Sequence, residues 1–341
     1  MPDLSRNGFA EGRLFVANRW IDAHSAATFT VVDPATEEQL GSVPLADRAD
    51  VDAAVAAARS ALETGEWAGA SAGERAAALE RFAVALRDQA DQTSRMVSRE
   101  NGMPISLSEA VNGQAPAMVA DIYAGIGRDF VFEEVRPNDS GGTIVAREPV
   151  GVVAAIVPWN FPQVLALMKL APALAAGCTV VVKPSPETTL DAVALANAAV
   201  AAGLPPGVVN VLPADREVSA YLVRHPGVDK IAFTGSTAAG EDIAAACGRL
   251  VRRVTLELGG KSASIVLEDA DLDLFYAGLA NSGFQNNGQT CITQSRILAP
   301  RSRYDEVVEA TARFAEDLVV GDPLDPATTC GPMVSAAHRD R

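Results

Sequence analysis

The sequence predicts an α/β fold built on a doubly wound parallel sheet. From Val150 to Leu258, short apolar runs alternate with segments of helical pattern. Strands that are buried on both faces are apolar throughout, and the helices between them cover the two faces of a parallel sheet. Ligands of such sheets bind beyond the carboxyl ends of the strands. The residues that follow each strand are therefore the first candidates for function.

The elements of this sheet follow one another in a regular order. Five apolar runs are the predicted strands: Val150–Val157, Thr179–Lys183, Val208–Leu212, Lys230–Thr234 and Val251–Leu258. The segments between them are the predicted helices: Gln163–Ala176, Thr188–Ala202, Arg216–Arg224 and Ala238–Gly248. Apolar residues that recur every three or four positions are typical of helices that pack on a sheet.

The N-terminal part of the chain predicts short strands followed by helices. The runs Leu14–Asp22 and Thr28–Thr36 indicate strands, and an Asp-Pro pair in the second run marks a turn. Helical periodicity begins at Asp47. Ser71 and Glu74 have the spacing of a capping box, so a second helix is predicted to begin there.

Residues 128–148 predict a projecting β-hairpin. Phe130, Phe132 and Val135 alternate with charged residues, and a second apolar run follows a loop that contains proline and glycine. Two strands joined by a loop are the simplest structure with this pattern. A hairpin between two helical regions often pairs with another sheet or another subunit, so this segment is the predicted oligomerisation element.

The composition excludes several classes of function. The 341 residues are 48% hydrophobic and 21% charged, which is typical of a globular protein. A formal net charge of -15 repels nucleic acid and anionic lipid, so neither is an expected partner. The four cysteines show no C-x-x-C spacing and the three histidines are scattered as surface or loop residues, so no metal site is expected.

Membrane insertion and export are not expected either. The longest apolar run, Val150–Pro158, is far too short to span a bilayer. The N-terminus carries Asp3 and no apolar core, so it does not predict a signal peptide. We therefore expect a cytoplasmic protein.

Polar residues follow the predicted strands at the edge where a ligand would bind. Asn160 lies in a turn between two prolines, and its amide could donate to a developing negative charge. Lys183 leaves the second strand and could hold ribose hydroxyls or a phosphate. Gly235 would let a phosphate approach, and Ser236 begins a helix whose N-terminus supplies donors. Each signal is weak alone, because such residues are common in turns and at helix starts.

Two further residues suggest a thiol nucleophile and a carboxylate base. Glu257 lies in the apolar run Val254–Leu258, and burial at a strand end would favour its neutral form, which suits a base near neutral pH. Cys291 follows a polar turn, where backbone N–H groups could favour the thiolate and stabilise an oxyanion. The alternative is a buried structural cysteine and a surface glutamate, and this stretch alone favours the alternative.

Five motifs occur together along the predicted sheet. They are P-W-N-F-P at 158–162, K-P-S-P at 183–186, F-T-G-S at 233–236, E-L-G-G-K at 257–261 and G-Q-T-C at 288–291. No G-x-G-x-x-G fingerprint is present, and the P-loop-like spacing from Gly235 to Gly240 has Glu241 where a lysine is needed. In this order and spacing the five motifs resemble those of the aldehyde dehydrogenase superfamily, and the resemblance covers essentially the whole chain.

The resemblance implies a Rossmann-like cofactor domain and the NAD(P)-dependent oxidation of an aldehyde to a carboxylic acid. Cys291 matches the nucleophile that forms a thiohemiacetal and then a thioester. Asn160 matches the side-chain donor of the oxyanion hole. Glu257 matches the base that activates water, and Lys169 matches a lysine in the proton path. CoA-acylating relatives lack that glutamate, so a free carboxylate is the expected product.

The same resemblance implies a site for NAD or NADP. The expected cofactor contacts are Ile156, Trp159, Lys183, Ser185, Gly235, Ser236, Glu257 and Leu258. Many NAD-specific relatives carry a glutamate three residues after the lysine, where this chain has Pro186. A carboxylate there repels a 2′-phosphate, so its loss makes NADP admissible. The neighbouring Glu187 could compensate, and NAD is slightly favoured.

The resemblance also divides the chain. Residues 1–127 and 149–257 correspond to the dinucleotide-binding domain, 128–148 to the oligomerisation hairpin, and 258–341 to the first part of a second α/β catalytic domain. Family members continue past Arg341, so a C-terminally truncated chain is expected, and the family expectation is a homodimer or homotetramer. The alternative is a non-catalytic nucleotide-binding remnant, and cofactor-independent ester or thioester hydrolysis is a third possibility.

Overall fold

The computed structural model describes residues 8–340. Asp3 and Arg341, on which the expectations about a signal peptide and about chain length rest, lie outside the described residues. Within residues 8–340, no helix is long and apolar enough to cross a membrane. In the same range, no group of three or more His, Cys, Asp or Glu side chains is placed to hold a metal ion.

Thirteen strands and twelve α-helices occur in the described residues. The strands are β1 Arg13–Val16, β2 Arg19–Asp22, β3 Thr28–Val32, β4 Gln39–Pro44, β5 Glu133–Asn138, β6 Gly141–Ala146, β7 Val152–Ile156, β8 Thr179–Lys183, β9 Val209–Val211, β10 Lys230–Gly235, β11 Arg253–Leu258, β12 Ala263–Ile265 and β13 Arg296–Leu298. The helices are α1 Arg48–Glu63, α2 Ala72–Arg87, α3 Ala90–Asn101, α4 Ile105–Ser108, α5 Ala115–Asp129, α6 Pro162–Ala175, α7 Val193–Ala201, α8 Arg216–Arg224, α9 Thr237–Arg249, α10 Leu272–Ser282, α11 Tyr304–Glu316 and α12 Ala336–Arg339.

The central sheet has seven strands in the order β11-β10-β7-β8-β9-β1-β2. Strands β7 to β11 run parallel, and β1 is antiparallel to both β9 and β2. Because β8 and β9 extend from β7 on one side and β10 and β11 on the other, the strand order reverses beside β7. The predicted doubly wound sheet is confirmed, and the binding crevice of such a sheet lies at this reversal.

Helices cover both faces of the sheet. On β7, Val153 and Ala155 pack in a core with Leu167 of α6. Val152 lies on the opposite face, in a second core with Ile243 of α9. Alternate residues of a strand point to opposite faces, so a strand with a core on each side must be apolar throughout. The two cores hold the strands in place, and with them the carboxyl ends that carry the candidate site residues.

The first predicted strand run is a hairpin. Ala17 and Asn18 have φ angles of 51° and 59°, which form a two-residue turn between β1 and β2. Turns with two positive φ angles match the twist of paired antiparallel strands. The hairpin extends the parallel sheet at the edge opposite β11.

The helix predicted over Thr188–Ala202 begins later than expected. A 3-10 turn comes first, and α7 begins only at Val193. The backbone N–H groups of Leu190 and Asp191 donate to the buried carboxylate of Glu100 on α3. A long-range side-chain contact therefore fixes this stretch in place of helical hydrogen bonds.

Strand β11 differs from the prediction at both ends. It begins at Arg253, because Val251 has a φ of 50° and is 94% exposed in the turn before it. Among residues 8–340, β11 pairs with a strand on one side only, because it is the last strand of the sheet. Glu257 near its carboxyl end is exposed, so the predicted burial of this carboxylate is wrong. The reason is the edge position, which a run of apolar residues does not reveal.

The predicted projecting hairpin is present. β5 and β6 pair antiparallel, with Val135 opposite Ile144, and both of these side chains are 65% exposed. The hairpin begins later than the predicted residue 128, because residues 128 and 129 still belong to α5. The first hairpin strand begins at Glu133. The two strands form a sheet of their own, and each has one edge without a partner strand among the described residues.

The residues after β11 form a smaller α/β arrangement. β12 and β13 pair in parallel, and α10 lies between them in the chain. The loop from α10 to β13 carries Cys291. Residues 331–334 return to this loop, where Val334 N donates to Gln289 Oε1 at 3.0 Å.

Candidate active site

The carboxyl ends of β7, β8, β10 and β11 meet along one edge of the sheet. Ile156 lies opposite Lys183 on one side and Phe233 on the other, and Gly235 lies opposite Leu258. Three cavities of about 590, 530 and 350 Å³ open here. Every residue predicted for the site lines at least one of them.

The central groove, of about 590 Å³, joins the candidate nucleophile to the candidate phosphate turn. Asn160 after β7, Gly235 and Ser236 at the end of β10, and Cys291 all line it. Trp159, Leu258 and His338 line it as well. The Cys291 side chain is exposed in this groove, so the alternative of a buried structural cysteine does not hold.

The lateral cavity, of about 530 Å³, lies beside α6 and the edge strands. Lys169, Thr234, Glu257 and Cys291 line its polar part. Its apolar wall includes Val153, Leu165, Met168, Pro172 and Ala173. Cys291 lines both the central groove and the lateral cavity, so this residue lies where the two meet.

The outer cavity, of about 350 Å³, lies beyond β8. Ile156, Lys183 and Ser185 line it together with Glu187. The predicted cofactor residues therefore divide among the cavities, since Gly235 and its neighbours line the central groove instead. An extended ligand with two chemically different ends would fit this division.

The loop before Cys291 is held in an uncommon backbone conformation. Asn286, Asn287 and Gly288 have φ angles of 51°, 58° and 76° in succession. Asparagine and glycine are the residues that adopt the left-handed region at least cost. The side chain of Asn287 fixes the loop, since Nδ2 donates to Gly102 O and Pro332 O at 2.8 and 3.0 Å.

Asn160 is tied directly to the nucleophile loop. Its Nδ2 donates to Gln289 O at 2.9 Å, and its Oδ1 accepts from Phe161 N at 3.1 Å. A primary carboxamide has two N–H donors. One therefore holds the loop of Cys291, and the second is available for an oxyanion in the groove.

Lys169 lies in the lateral cavity with its amine in a hydrogen bond. Its Nζ donates to Thr234 Oγ1 at 2.5 Å. Burial lowers the pKa of Lys169 to about 8, although the nearby Glu257 carboxylate raises it in part. An amine with that pKa is partly neutral near physiological pH, whereas an exposed lysine is almost fully charged there.

Lys183 is the buried cation of the outer cavity. Only 7% of the residue is exposed, and burial lowers the pKa of its amine to about 8, against the effect of the Glu187 and Asp215 carboxylates. Ser185 Oγ donates to Glu187 Oε2 at 2.5 Å. A cation and an oriented carboxylate thus share one small cavity, which suits a ligand that carries hydroxyl groups.

The turn at Gly235 and Ser236 fits a phosphate. A Cβ at Gly235 would lie 2.4 Å from the ring of Phe233, so any other residue would force that ring to move, and the glycine itself lines the groove. Ser236 caps α9, and its Oγ accepts from Ala239 N at 3.3 Å. The N-terminus of this helix presents N–H donors and positive partial charge to an anion.

His338 lines the central groove, although the sequence predicts a surface or loop position for it. Its ring packs edge to face on Trp159, with 4.9 Å between the ring centroids. α12 carries it, and Ser335 caps that helix. No local motif marks this position, because it reaches the groove only through the return of residues 331–334 to the nucleophile loop.

Comparison with known proteins gives a consistent family. The model of the aldehyde dehydrogenase family matches residues 20–341. Geranial dehydrogenase of Castellaniella defragrans is 53% identical over 96% of this chain and 69% of its own length. An NADP/NAD-dependent aldehyde dehydrogenase of Escherichia coli is 40% identical over 97% of this chain and 67% of its own length.

A solved structure agrees with the fold. The aldehyde dehydrogenase of Mycobacterium tuberculosis in complex with NAD+ superposes with a TM-score of 0.93 at 43% identity, over 97% of this chain and 68% of that chain. The chain thus spans about two thirds of the length of the proteins that it matches. It belongs to the aldehyde dehydrogenase family, and its reaction is the oxidation of an aldehyde with a nicotinamide cofactor.

Proposed function

We propose that this chain oxidises its aldehyde through a covalent intermediate on Cys291. The observation that carries the proposal is the position of this thiol at the junction of two cavities. On one side lie Asn160 and the Gly235–Ser236 turn, and on the other side lie Glu257 and Lys169. Cys291 therefore shares one cavity with an oxyanion donor and an anion cradle, and the other with a base.

The chemistry follows from these neighbours. The Cys291 thiolate adds to the aldehyde carbonyl to give a thiohemiacetal, and the Asn160 amide stabilises the oxyanion. A nicotinamide cofactor held by Lys183 and the Gly235–Ser236 turn would supply the oxidation, as the acceptor of a hydride. The thioester left on Cys291 is hydrolysed by a water molecule whose proton passes to Glu257. The exposure of Glu257 gives that carboxylate access to bulk water.

Lys169 is proposed to pass this proton onward. Its amine bonds to Thr234 and lies in the same cavity as Glu257. With a pKa of about 8, a fraction of the amine is neutral at physiological pH and can accept a proton.

The cofactor is proposed to lie across the central groove and the outer cavity. Gly235 and Ser236 would hold its pyrophosphate, and Lys183 its adenosine ribose. Trp159, Ile156, Ser185 and Leu258 would line the rest of its path, and Glu257 would approach its nicotinamide end from the lateral cavity. NAD is proposed as the preferred cofactor, because the Glu187 carboxylate occupies the same cavity as Lys183 and would repel a 2′-phosphate.

An apolar aldehyde is the proposed substrate class. The lateral cavity offers the thiol an apolar wall of aliphatic side chains and Met168. Geranial, the substrate in the name of the relative at 53% identity, is apolar. Apolar walls of this kind discriminate among aldehydes by the area that they bury.

We also propose that the chain consists of a dinucleotide-binding domain (1–127 and 149–257), a hairpin (128–148) that joins subunits, and the first part of a catalytic domain (258–341). The protein is proposed to be cytoplasmic.

The exposed pair Val135 and Ile144 supports the hairpin's role in joining subunits, since a free strand edge with apolar side chains favours pairing. Light scattering on the wild type and on Val135→Lys tests this role, and we expect the variant to have the smaller mass. If the wild type is an oligomer and Val135→Lys has the same mass, the hairpin does not join subunits through this pair.

The main test follows NAD(P)H formation with short, medium-chain and aromatic aldehydes. We expect turnover by the 341-residue chain, faster with apolar aldehydes, and none by Cys291→Ala. Inactivity of the purified wild type with every aldehyde and both cofactors would favour the nucleotide-binding remnant. Ester or thioester hydrolysis without cofactor, in place of oxidation, would favour the third possibility.

The cofactor preference has a separate test. Titration calorimetry should give tighter binding of NAD than of NADP, and Glu187→Gln should narrow that gap by about tenfold or more, because like charges in a shared cavity cost several kcal/mol. Glu217→Gln is the control, because Glu217 lies on α8 outside the outer cavity and pairs with Arg48. An unchanged ratio in Glu187→Gln would rule out this carboxylate as the discriminator.

A further inference from the structure

Asn101, the last residue of α3, lies under the turn that carries Asn160. It is completely buried, with an exposure of 0%. Its Nδ2 donates to Trp159 O at 3.1 Å and to Asn160 O at 3.3 Å. Its Oδ1 accepts from Met103 N at 2.9 Å. Both donors and one acceptor site of this carboxamide are therefore used, and both donors serve the Asn160 turn.

The carbonyl of Asn160 receives two such bonds. The second comes from Asn286 Nδ2 at 3.0 Å, out of the nucleophile loop. Residues 158–160 form a half-buried turn that precedes α6, so the hydrogen bonds of that helix do not hold them. The orientation of the peptide groups on either side of Asn160 sets the direction of its side chain. Hydrogen bonds that hold the carbonyls of Trp159 and Asn160 therefore also orient the Asn160 amide.

The end of α3 meets the nucleophile loop as well. Gly102, the next residue, adopts a φ of 79°, and its carbonyl accepts from Asn287 Nδ2 at 2.8 Å. Asn101 and Gly102 together thus contact the oxyanion turn and the loop of Cys291. A shift of a catalytic group by about 1 Å can cost about 100-fold in rate.

We infer that Asn101 is a positioning residue, which fixes the Trp159–Asn160 peptides and so aims the Asn160 amide at the oxyanion formed on Cys291. The inference rests on the role proposed for Asn160. Asn101 touches neither substrate nor cofactor in this account, since it lines none of the three cavities. It acts through Asn160 alone.

The test uses acylation of Cys291 by p-nitrophenyl acetate, followed as the release of nitrophenolate. This ester forms an oxyanion at the same sulfur and needs no cofactor or hydride transfer. Asn101→Ala, and the milder Asn101→Ser, should slow acylation by about 10- to 100-fold. With aldehyde as substrate, kcat should fall by a similar factor while KM for NAD changes little.

A double-mutant cycle separates positioning from general loss of structure. If Asn101 acts through Asn160, then Asn101→Ala should have no further effect on acylation in the Asn160→Ala background. Additive losses in the cycle, or wild-type acylation by both Asn101 variants, would overturn the inference and leave the proposed function standing. Wild-type acylation by Asn160→Ala would overturn both.

Asn210 supplies a matched control. It is also 0% exposed, its Nδ2 donates to Gly207 O at 2.8 Å, and its Oδ1 accepts from Ala17 N at 3.0 Å. It lies on β9, away from the three cavities. Asn210→Ala should lose stability as Asn101→Ala does and keep its acylation rate. An equal loss of acylation in Asn210→Ala would reduce Asn101 to a structural role.

Discussion

At the scale of single residues, the site depends on groups whose surroundings differ from those of ordinary surface side chains. Lys169 shows this most clearly, because burial lowers its pKa to about 8 while it bonds to Thr234. An exposed lysine has a pKa of about 10.4 and is almost fully charged at physiological pH. The titration of Lys169 therefore falls close to physiological pH.

The hydrolysis of acylated Cys291 should depend on the state of Lys169. As pH rises through about 8 the amine becomes neutral and can accept the proton from Glu257, so the deacylation rate should rise over this range. Lys169→Met should remove that rise. The measurement is the decay of the acetyl-enzyme between about pH 6.5 and 9.5.

Lys230→Met is the matched control, since Lys230 lines the same cavity at the opposite end of β10 from Thr234. It should keep the alkaline rise. A rise that persists unchanged in Lys169→Met would remove this lysine from the proton path.

The sequence predicted individual residues better than their environments. Asn160 and Cys291 were identifiable, because their motifs surround them within a few positions. The exposure of Glu257 was not, since it depends on β11 being the edge of the sheet. Neither Asn101 nor His338 carries a local signal, because only long-range contacts bring them to the site.

At the scale of elements, the end of α3 and residues 331–334 are fitted closely to each other. Gly102 caps α3 with a φ of 79°, and a Cβ there would lie 2.4 Å from Pro332 O. The obstacle is backbone and not a flexible side chain. A left-handed conformation and a close approach therefore coincide at one glycine beside the nucleophile loop.

Gly102→Ala should lower the free energy of unfolding by more than the cost of placing an alanine at a left-handed φ. Left-handed φ costs an alanine about 1–2 kcal/mol, and the overlap with Pro332 should add about 1–3 kcal/mol. Gly12 is the matched control, because it has the same φ of 79° and no atom within 4 Å of an added Cβ. Equal losses in Gly102→Ala and Gly12→Ala, measured by urea denaturation, would contradict the close approach.

At the scale of the whole molecule, the alternation of apolar runs predicted the layers but not every connection. Strands β7 to β11 were predictable because burial on both faces demands apolar residues throughout. The late start of α7 was not, because the buried Glu100 carboxylate on α3 takes the N–H groups of Leu190 and Asp191. A contact between residues about 90 positions apart leaves no local pattern.

This contact makes the stability of the whole fold dependent on pH. Glu100 and Asp191 are each 1% exposed, and burial raises the pKa of both carboxyls, with mutual repulsion adding to the shift for Glu100. In the unfolded chain both groups ionise near pH 4. A folded-state pKa above the unfolded value gives stability that is complete below about pH 4 and is lost as pH rises through the folded values.

Asp191→Asn should therefore flatten the fall in unfolding free energy between about pH 5 and 8. Its amide stays neutral, while Gln163 Nε2, which donates to Asp191 at 2.5 Å, keeps a carbonyl partner. Asp242→Asn on the surface is the control and should follow the wild-type curve. A slope in Asp191→Asn as steep as in the wild type would show that Asp191 does not ionise in this range.

The central claim is a thioester on Cys291 that Glu257 helps to hydrolyse, and mass spectrometry of Glu257→Gln tests it most directly. After exposure to NAD and an apolar aldehyde, this variant should release one burst of NADH and retain the acyl group of that aldehyde on the peptide that contains Cys291. An NADH burst without that acyl group, or the same group on the peptide of Cys330, would contradict the account.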